Sequence, residues 1–531
     1  MTIPPQDHTA RAALSRRSSE FFSEHFTHPR SAPPRLRITG KKPLRVMKFG
    51  GTSVGDAACV GRVVEIIQSY ARECDVAVVV SAMSGVTNQL VAAASQAEAG
   101  CGEAAAAIFQ ELRQQHNAAA NELIHAAPDR NRIARKIEEL LETGNRLCQG
   151  TMLLHELTPR TRDAISSLGE RLSVLLVAAA LAERGTASEA IEATKLLVTD
   201  GSHGSADPRM DFTRQRCQEC LRPLLQRGVV PVVTGFIGAT ADGVLTTLGR
   251  GGSDYSATIL GAALEADEVI IWTDVDGLQT ADPRLVPGAC TIPEISYREA
   301  AELAYFGAKV LHPKTLRAVM QCGTPLWIRN TFAPERLGTK ITPMGPAADG
   351  GVKALTAISD AALVALGGPG FAGVQDVLGR TFRATAALRA DVLLISQSSS
   401  QNDLCLVIPS AQAKGVVEAL RHEFAHDLAP ARTEPITIDP SVAIITVVGQ
   451  NLRSIPGIVG SACGILGRES VNIIAIAQGS SDCTLSFVVA KKDVKAALAS
   501  IHREFRLGKH WNPAMDDDER CNRHCQPVQT S

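Results

Sequence analysis

From Leu44 onward the chain alternates short, nearly continuous apolar runs, each closed by glycine or another small residue, with longer stretches of helical spacing. Leu44–Phe49, Val76–Val80, Val229–Thr234 and Val269–Thr273 lack the every-second-residue polarity of a half-solvated strand, so the pattern predicts strands buried on both faces. Burial on both faces needs a helical layer on each side, which makes this part of the chain α/β with a mostly parallel sheet. Asp129–Leu147 and Arg171–Arg184 carry helix formers at helical spacing, and Pro208 and Pro223 punctuate the segments between elements. The rhythm runs to about Pro346, where the turn formers of Gly345–Gly351 predict a linker.

Past the linker the sequence repeats itself. Asp391-Val-Leu-Leu-Ile-Ser-Gln-Ser-Ser-Ser400 is echoed by Asn472-Ile-Ile-Ala-Ile-Ala-Gln-Gly-Ser-Ser481, with Gln397 and Gln478 in register at a shift of 81. The same shift puts Leu404 on Leu485, Val407 on Val488 and Gly368 on Gly449. Each copy reads strand, glycine-containing loop, helix, strand, turn, strand, helix and short strand, so two α+β (βαββαβ) modules are expected rather than a solenoid. The expected division is a flexible extension at 1–42, a large α/β unit at 43–345, modules at 354–435 and 436–505, and a polar tail at 506–531.

A chain of 531 residues suits several units at about 100–200 residues each, and 45% hydrophobic against 21% charged residues suits folded cores. The 54 Lys plus Arg nearly cancel 55 Asp plus Glu, which argues against nucleic acid as a partner; any phosphate must be held locally. We expect no membrane span, because no apolar run is read as reaching the roughly 18 residues that one needs. Thirteen scattered cysteines fit a reducing, cytoplasmic compartment better than a disulfide scaffold. Asp7, Glu20 and Glu24 break the acid-poor pattern of a transit peptide, so a loose extension is the expectation for the N-terminus.

Two glycine loops carry candidate phosphate chemistry. Lys48-Phe-Gly-Gly-Thr-Ser-Val54 follows the first strand: paired glycines permit close approach, backbone amides can form an anion nest, and lysine adds a cation. Taken alone, such a turn is as readily a tight connection, and its order differs from that of a P-loop. Thr246-Thr-Leu-Gly-Arg-Gly-Gly-Ser-Asp-Tyr-Ser-Ala257 brings guanidinium, hydroxyl and amides to a helix N-terminus, a setting for carboxylate or phosphate. Trp272-Thr-Asp-Val-Asp-Gly-Leu-Gln-Thr-Ala-Asp-Pro-Arg284 and Phe306-Gly-Ala-Lys-Val-Leu-His-Pro313 complete the set.

In this order, with SAMSGVTN at 81–88 and LGERLS at 168–173, these motifs resemble aspartate kinase of the amino-acid-kinase superfamily over roughly residues 44–505. The repeat resembles paired ACT regulatory domains, above all those of bifunctional aspartokinase–homoserine dehydrogenase, whose dehydrogenase part has no counterpart in this sequence. The resemblance implies an αβα kinase sandwich followed by two ACT domains. The implied reaction phosphorylates the β-carboxylate of L-aspartate with ATP and Mg²⁺, the first step of lysine, threonine and methionine biosynthesis. It assigns Lys48 and Asp254 to catalysis and Thr87, Glu170, Arg250, Gly251, Gly252 and Ser253 to aspartate. ATP falls to Lys48, Gly50, Gly51, Thr52, Ser53, Thr273, Asp274, Arg284, Lys309 and Val310. Gln397, Asn472 and Gln478 would meet an amino-acid effector, threonine ahead of lysine, in a homo-oligomer built through the ACT domains; the alternative is that these glutamines only cap turns.

Because a carboxylate acceptor is already ionised, Asp254 is expected to orient lysine or metal rather than act as a base. Lys48, Arg250 and Lys309 should meet in one crevice. Gln279 stands where related enzymes commonly carry an aromatic residue. His312 reads as structural, and neither Cys217-x-x-Cys220 nor Cys521 with His524 and Cys525 makes a resident metal site. Gly368-Pro-Gly-Phe-Ala-Gly373 matches a dinucleotide fingerprint but reads as an ACT loop. A dinucleotide oxidoreductase, a non-catalytic amino-acid sensor and another carboxylate kinase, such as glutamate 5-kinase, are the competing functions.

Overall fold

The computed structural model describes residues 42–307, 310–347, 351–367, 374–397, 403–425, 436–479 and 481–508. The strand Leu44–Phe49 (β1), buried from Val46 onward, lies inside a sheet, between Asp75–Val80 (β2) and Glu268–Thr273 (β7), and parallel to both. Beyond β2 come Val230–Thr234 (β4) and Ser188–Ile191 (β3); beyond β7 come Leu326–Asn330 (β9), Thr339–Thr342 (β10) and Glu294–Ser296 (β8). Only the β9–β10 pairing is antiparallel. A hairpin of Ile237–Ala239 (β5) and Leu245–Thr247 (β6) stands apart from this sheet. In the parallel register Phe49 pairs with both Val80 and Trp272, and Val80 with Thr234. The loops after these four strands therefore leave along one edge, the carboxyl edge where open α/β sheets place their ligands.

Alternate residues of the strands feed two cores. Val46, Ala77, Val233, Val269 and Ile271 pack beneath the helices Gly252–Leu264 and Pro313–Cys322, whereas Met47, Phe49, Val78, Ile270 and Trp272 face Ala57–Ala71 and Leu168–Glu183. The helices Val86–Glu98, Gly102–Leu123 and Ala127–Leu154 form a further layer outside Leu168–Glu183.

One sequence expectation needs correcting here. Pro159–Glu183 is long and apolar enough to cross a bilayer, yet 83% of its most apolar window is buried. Leu172 and Leu176 face the helical layer, while Val174 and Val177 face the sheet. A helix enclosed on two sides is apolar all round for that reason.

The C-terminal repeat forms one antiparallel six-stranded sheet. Its order is Leu394–Gln397 (β12), Asp403–Pro409 (β13), Val352–Gly367 (β11), Ile436–Gly449 (β14), Thr484–Ala490 (β16) and Ile473–Ala477 (β15). The predicted shift of 81 carries β13 onto β16 and the helix Ser410–Glu423 onto Lys491–Glu504, where a short 3₁₀ turn leads into Val494–Glu504. Strand pairing does not follow the linear division of the repeat. Residues 361–366 of β11 pair with β13 and with 436–442 of β14, whereas residues 352–358 pair with 444–449, beside the second copy. The first copy is thus inserted between a strand of the second copy and the remainder of it.

Candidate active site

β1 delivers Lys48 to the carboxyl edge, 7% exposed, with its Nζ 2.5 Å from Asp254 Oδ1. Two residues on, Gly50 N donates to Trp272 O at 3.0 Å and Ser53 N to Gly50 O at 3.0 Å, so Gly50, Gly51, Thr52 and Ser53 make a tight turn between β1 and β7. Ser53 is buried against Thr331, Oγ to Oγ1 at 2.7 Å, and Thr331 N in turn donates to Thr273 O. Thr52 is exposed at the mouth of this turn.

Asp254 and Ser253 occupy the first turn of Gly252–Leu264, whose N-cap is Gly251 at φ 70°. A side chain at Gly251 would be strained, and its Cβ would lie 2.6 Å from His312 Cβ, so glycine here is required twice over. Ser253 Oγ meets Ser81 Oγ at 3.1 Å at the end of β2. Next to it, Ala82 N donates to Glu170 Oε1 at 3.2 Å. Glu170 is 3% exposed; burial pushes its pKa up to about 8, against the opposing pull of the Ala82 amide, the Lys48 charge and nearby Ser253. Such a carboxyl awaits a cation. Thr87, half-buried, begins the helix Val86–Glu98 beyond the same segment, and Arg250 stands exposed on the turn before Gly251.

Lys48, Glu170, Ser253 and Asp254 are therefore gathered at the carboxyl ends of β1 and β2, with Arg250 on the adjoining turn. The nucleotide-side candidates are placed differently. Thr273 Oγ1 donates to Asp274 Oδ1 at the end of β7. Arg284 is held by Asp282 at the surface, Nη2 to Oδ2 at 2.6 Å, in a loop whose Ala281 and Val286 belong to the core of the second repeat. Val310 packs against the core beneath Gly252–Leu264 and Pro313–Cys322, and Lys309 lies outside the described residues. Of Lys48, Arg250 and Lys309, only the first two are described: Lys48 pairs with Asp254, and Arg250 acts with Asp254 on His312. Gln279 donates to Thr291 Oγ1 within its own loop.

Gln397 ends β12, and Asn472 and Gln478 flank β15; all three are exposed, at the two outer strands of the six-stranded sheet. The turn at 398–400, Ser480, the glycine-rich segment 368–373 and the cysteines of the tail lie outside the described residues.

Two site residues, Phe236 and Asp163, escaped sequence reasoning, whereas His312, read as structural, is a helix cap. Phe236 holds φ 66°, donating its N–H to Ser256 Oγ and accepting from Leu248 N, and its ring lies against Gly252. No pattern marks a bulky residue for the left-handed region. His312 caps Pro313–Cys322 by accepting from Lys314 N at Nδ1. Desolvation, then Lys314 and Arg250, lower its pKa while Asp254 opposes them, so this histidine also borders the charged crevice. Asp163, 2% exposed, grips the strand leading to Arg250. A His-Pro pair before a helical run is a legible cap signal; a lone aspartate in a helix is not.

A profile of the amino acid kinase family matches residues 43–330, and one of the ACT domain matches 364–424 and 445–505. The chloroplastic bifunctional aspartokinase/homoserine dehydrogenase 1 of Arabidopsis thaliana is 33% identical over 470 residues, 87% of this chain and 51% of that one. Aspartokinase 1 of the same plant is 30% identical over 475 residues and covered to 80%. Among solved structures, E. coli aspartokinase III with aspartate and ADP superposes with a TM-score of 0.72 at 31% identity, covering 87% of this chain and 99% of that one. The same enzyme with lysine and aspartate gives 0.69 at 30%. The chain spans about half the length of the bifunctional relatives that it matches. With a kinase sheet, an aspartate-terminated lysine at its edge and ACT modules behind it, the chain belongs to the aspartokinase family.

Proposed function

We propose that this chain transfers the γ-phosphoryl group of MgATP to the β-carboxylate of L-aspartate, giving 4-phospho-L-aspartate and ADP. The supporting observation is the buried Lys48–Asp254 pair beside Glu170. Two anions must meet, and the attacking carboxylate brings no proton to remove. The need is for cations and fixed donors around the phosphoryl oxygens, which Lys48 and the backbone amides of Gly51 and Thr52 in the turn Gly50–Ser53 supply, with Mg²⁺ arriving on the nucleotide. Asp254 aims the lysine. Glu170 takes the substrate ammonium, Arg250 the α-carboxylate in a bidentate grip, and Thr87 and Ser253 add hydroxyls. Thr273, Asp274, Arg284, Lys309 and Val310 form the nucleotide side. Residues 43–345 are the catalytic unit, 354–435 and 436–505 the regulatory modules, and the setting is cytoplasmic.

On β15 the even positions Asn472, Ile474, Ile476 and Gln478 share one face, with Ile474 and Ile476 about two-fifths exposed; Ile395 and Gln397 repeat the pattern on β12. These edges suit pairing with a second copy and an amino-acid effector, threonine, at the seam. A coupled ADP-release assay, run with threonine, lysine and both, tests the whole reading. Aspartate-dependent release that falls about 10³-fold in Lys48→Met supports it; no aspartate-dependent release from the unaltered chain overturns it, and inhibition by lysine alone overturns the choice of effector.

A further inference from the structure

The turn that carries Arg250 is held from behind by a carboxylate that the proposed chemistry does not use. Asp163 sits in the short helix Pro159–Ser166, itself continuous in packing with the helix that presents Glu170. Its Oδ1 accepts from Thr247 Oγ1 at 2.6 Å and Gly204 N at 3.1 Å; its Oδ2 accepts from His203 Nδ1 at 2.8 Å, Gly204 N at 3.1 Å and Thr247 N at 3.2 Å. The backbone amides of Gly204 and Thr247 can only donate, so both carboxyl oxygens are needed as acceptors. Thr247 closes β6 three residues before Arg250. Between them Gly249 holds φ 79°, and a Cβ there would lie 2.8 Å from Gly204 O. One buried anion thus clamps the 203–204 turn to the end of β6, and the two pinned strands of chain press together at Gly249, just before the arginine.

We propose that Asp163 is a positioning residue for aspartate binding: through Thr247 and Gly204 it fixes the turn on which Arg250 meets the substrate carboxylate. This rests on the aspartate-kinase reading above. The grip lies on the amino-acid side of the crevice only, since none of its partners belongs to the loops after β1 or β7. Asp163→Asn keeps the shape but, whichever oxygen is replaced, turns an amide N–H₂ toward the Gly204 N–H, which can only donate.

Steady-state kinetics on the full chain separate the possibilities. In Asp163→Asn, KM for L-aspartate should rise on the order of tenfold or more, with KM for ATP within about twofold and kcat within about threefold of the unaltered chain. Thr247→Val, which removes the shortest bond and keeps the backbone amide, should move KM for aspartate in the same direction by about three- to fivefold. An unchanged KM for aspartate in Asp163→Asn overturns the proposal, as does an equal rise in both KM values, the mark of general loosening. If Asp163→Asn does not accumulate as folded protein, Thr247→Val decides on the same criteria. Failure of the unaltered chain to turn over aspartate would instead strike the functional reading itself.

Discussion

A buried carboxyl group with its pKa raised to about 8 is a proton sink that an arriving cation can empty. Glu170 is protonated at pH 7 when alone, and an arriving ammonium favours its ionised form, so aspartate binding should release a proton below pH 8. Calorimetric titration with aspartate at pH 7 in buffers of different ionisation enthalpy reads that release directly; heats that do not depend on the buffer would dismiss it. The same group sets a sign for stability. Its folded pKa lies above the unfolded value of 4.5, so folding binds a proton between these limits, and Glu170's contribution is lost as pH rises toward 8. Saturating aspartate should flatten that part of the Tm profile. At this scale the sequence was informative where chemistry and motif coincide, as at Lys48, Glu170 and the Gly-Arg-Gly-Gly turn. It was silent on Asp163 and Phe236, whose roles exist only once chain segments dozens of residues apart are folded together.

The strands at 44–49, 75–80, 230–234 and 268–273 lie within a residue of where their nearly continuous apolar runs predict them, because burial on both faces leaves few polar positions to blur the signal. The helix Tyr297–Tyr305 shows what such patterns omit. It opens with a capping box between Ser296 and Glu299, and the same Glu299 Oε2 receives Lys353 Nζ at 2.9 Å, both side chains being fully buried. Lys353 starts β11, so this one pair ties the helix before Phe306 to the regulatory sheet. Thr356 Oγ1 adds a bond to Phe306 O. Lys353→Met removes one partner and leaves a buried carboxylate uncompensated, a loss of about 3–5 kcal/mol. Urea titration of Lys353→Met alone and with Glu299→Gln tests this: the second change should recover part of the loss, and two independent, additive losses would contradict the pairing.

Across the whole molecule, catalytic and regulatory parts share more than a linker. Leu355 N donates to Thr280 O, Thr280 Oγ1 and His502 Nε2 lie 2.9 Å apart in the interior, and Ser481, beside the second glutamine turn, bonds Glu302 on the helix that leads to Phe306. These contacts join the outer strand of the second module to the helix Tyr297–Tyr305, and the module's last helix and β11 to the loop that follows β7. Strand exchange makes the regulatory sheet itself indivisible: β11 and β14 are equivalent by the 81-residue shift, and each serves both copies. The repeat was legible because the copies align, and the exchange was hidden because the strand that completes the second copy precedes the first one in the chain. Removing everything after residue 435 should leave 352–358 without a strand partner, and hydrogen exchange there, Leu355 apart, should approach unprotected rates while 361–366 stay paired with β13; retained protection over 352–358 would refute the interlocked pairing. Such interlocking also constrains descent: neither module can be lost, duplicated or traded on its own without stripping half the backbone partners from the survivor, so any lineage that reshapes this control apparatus must carry both halves together.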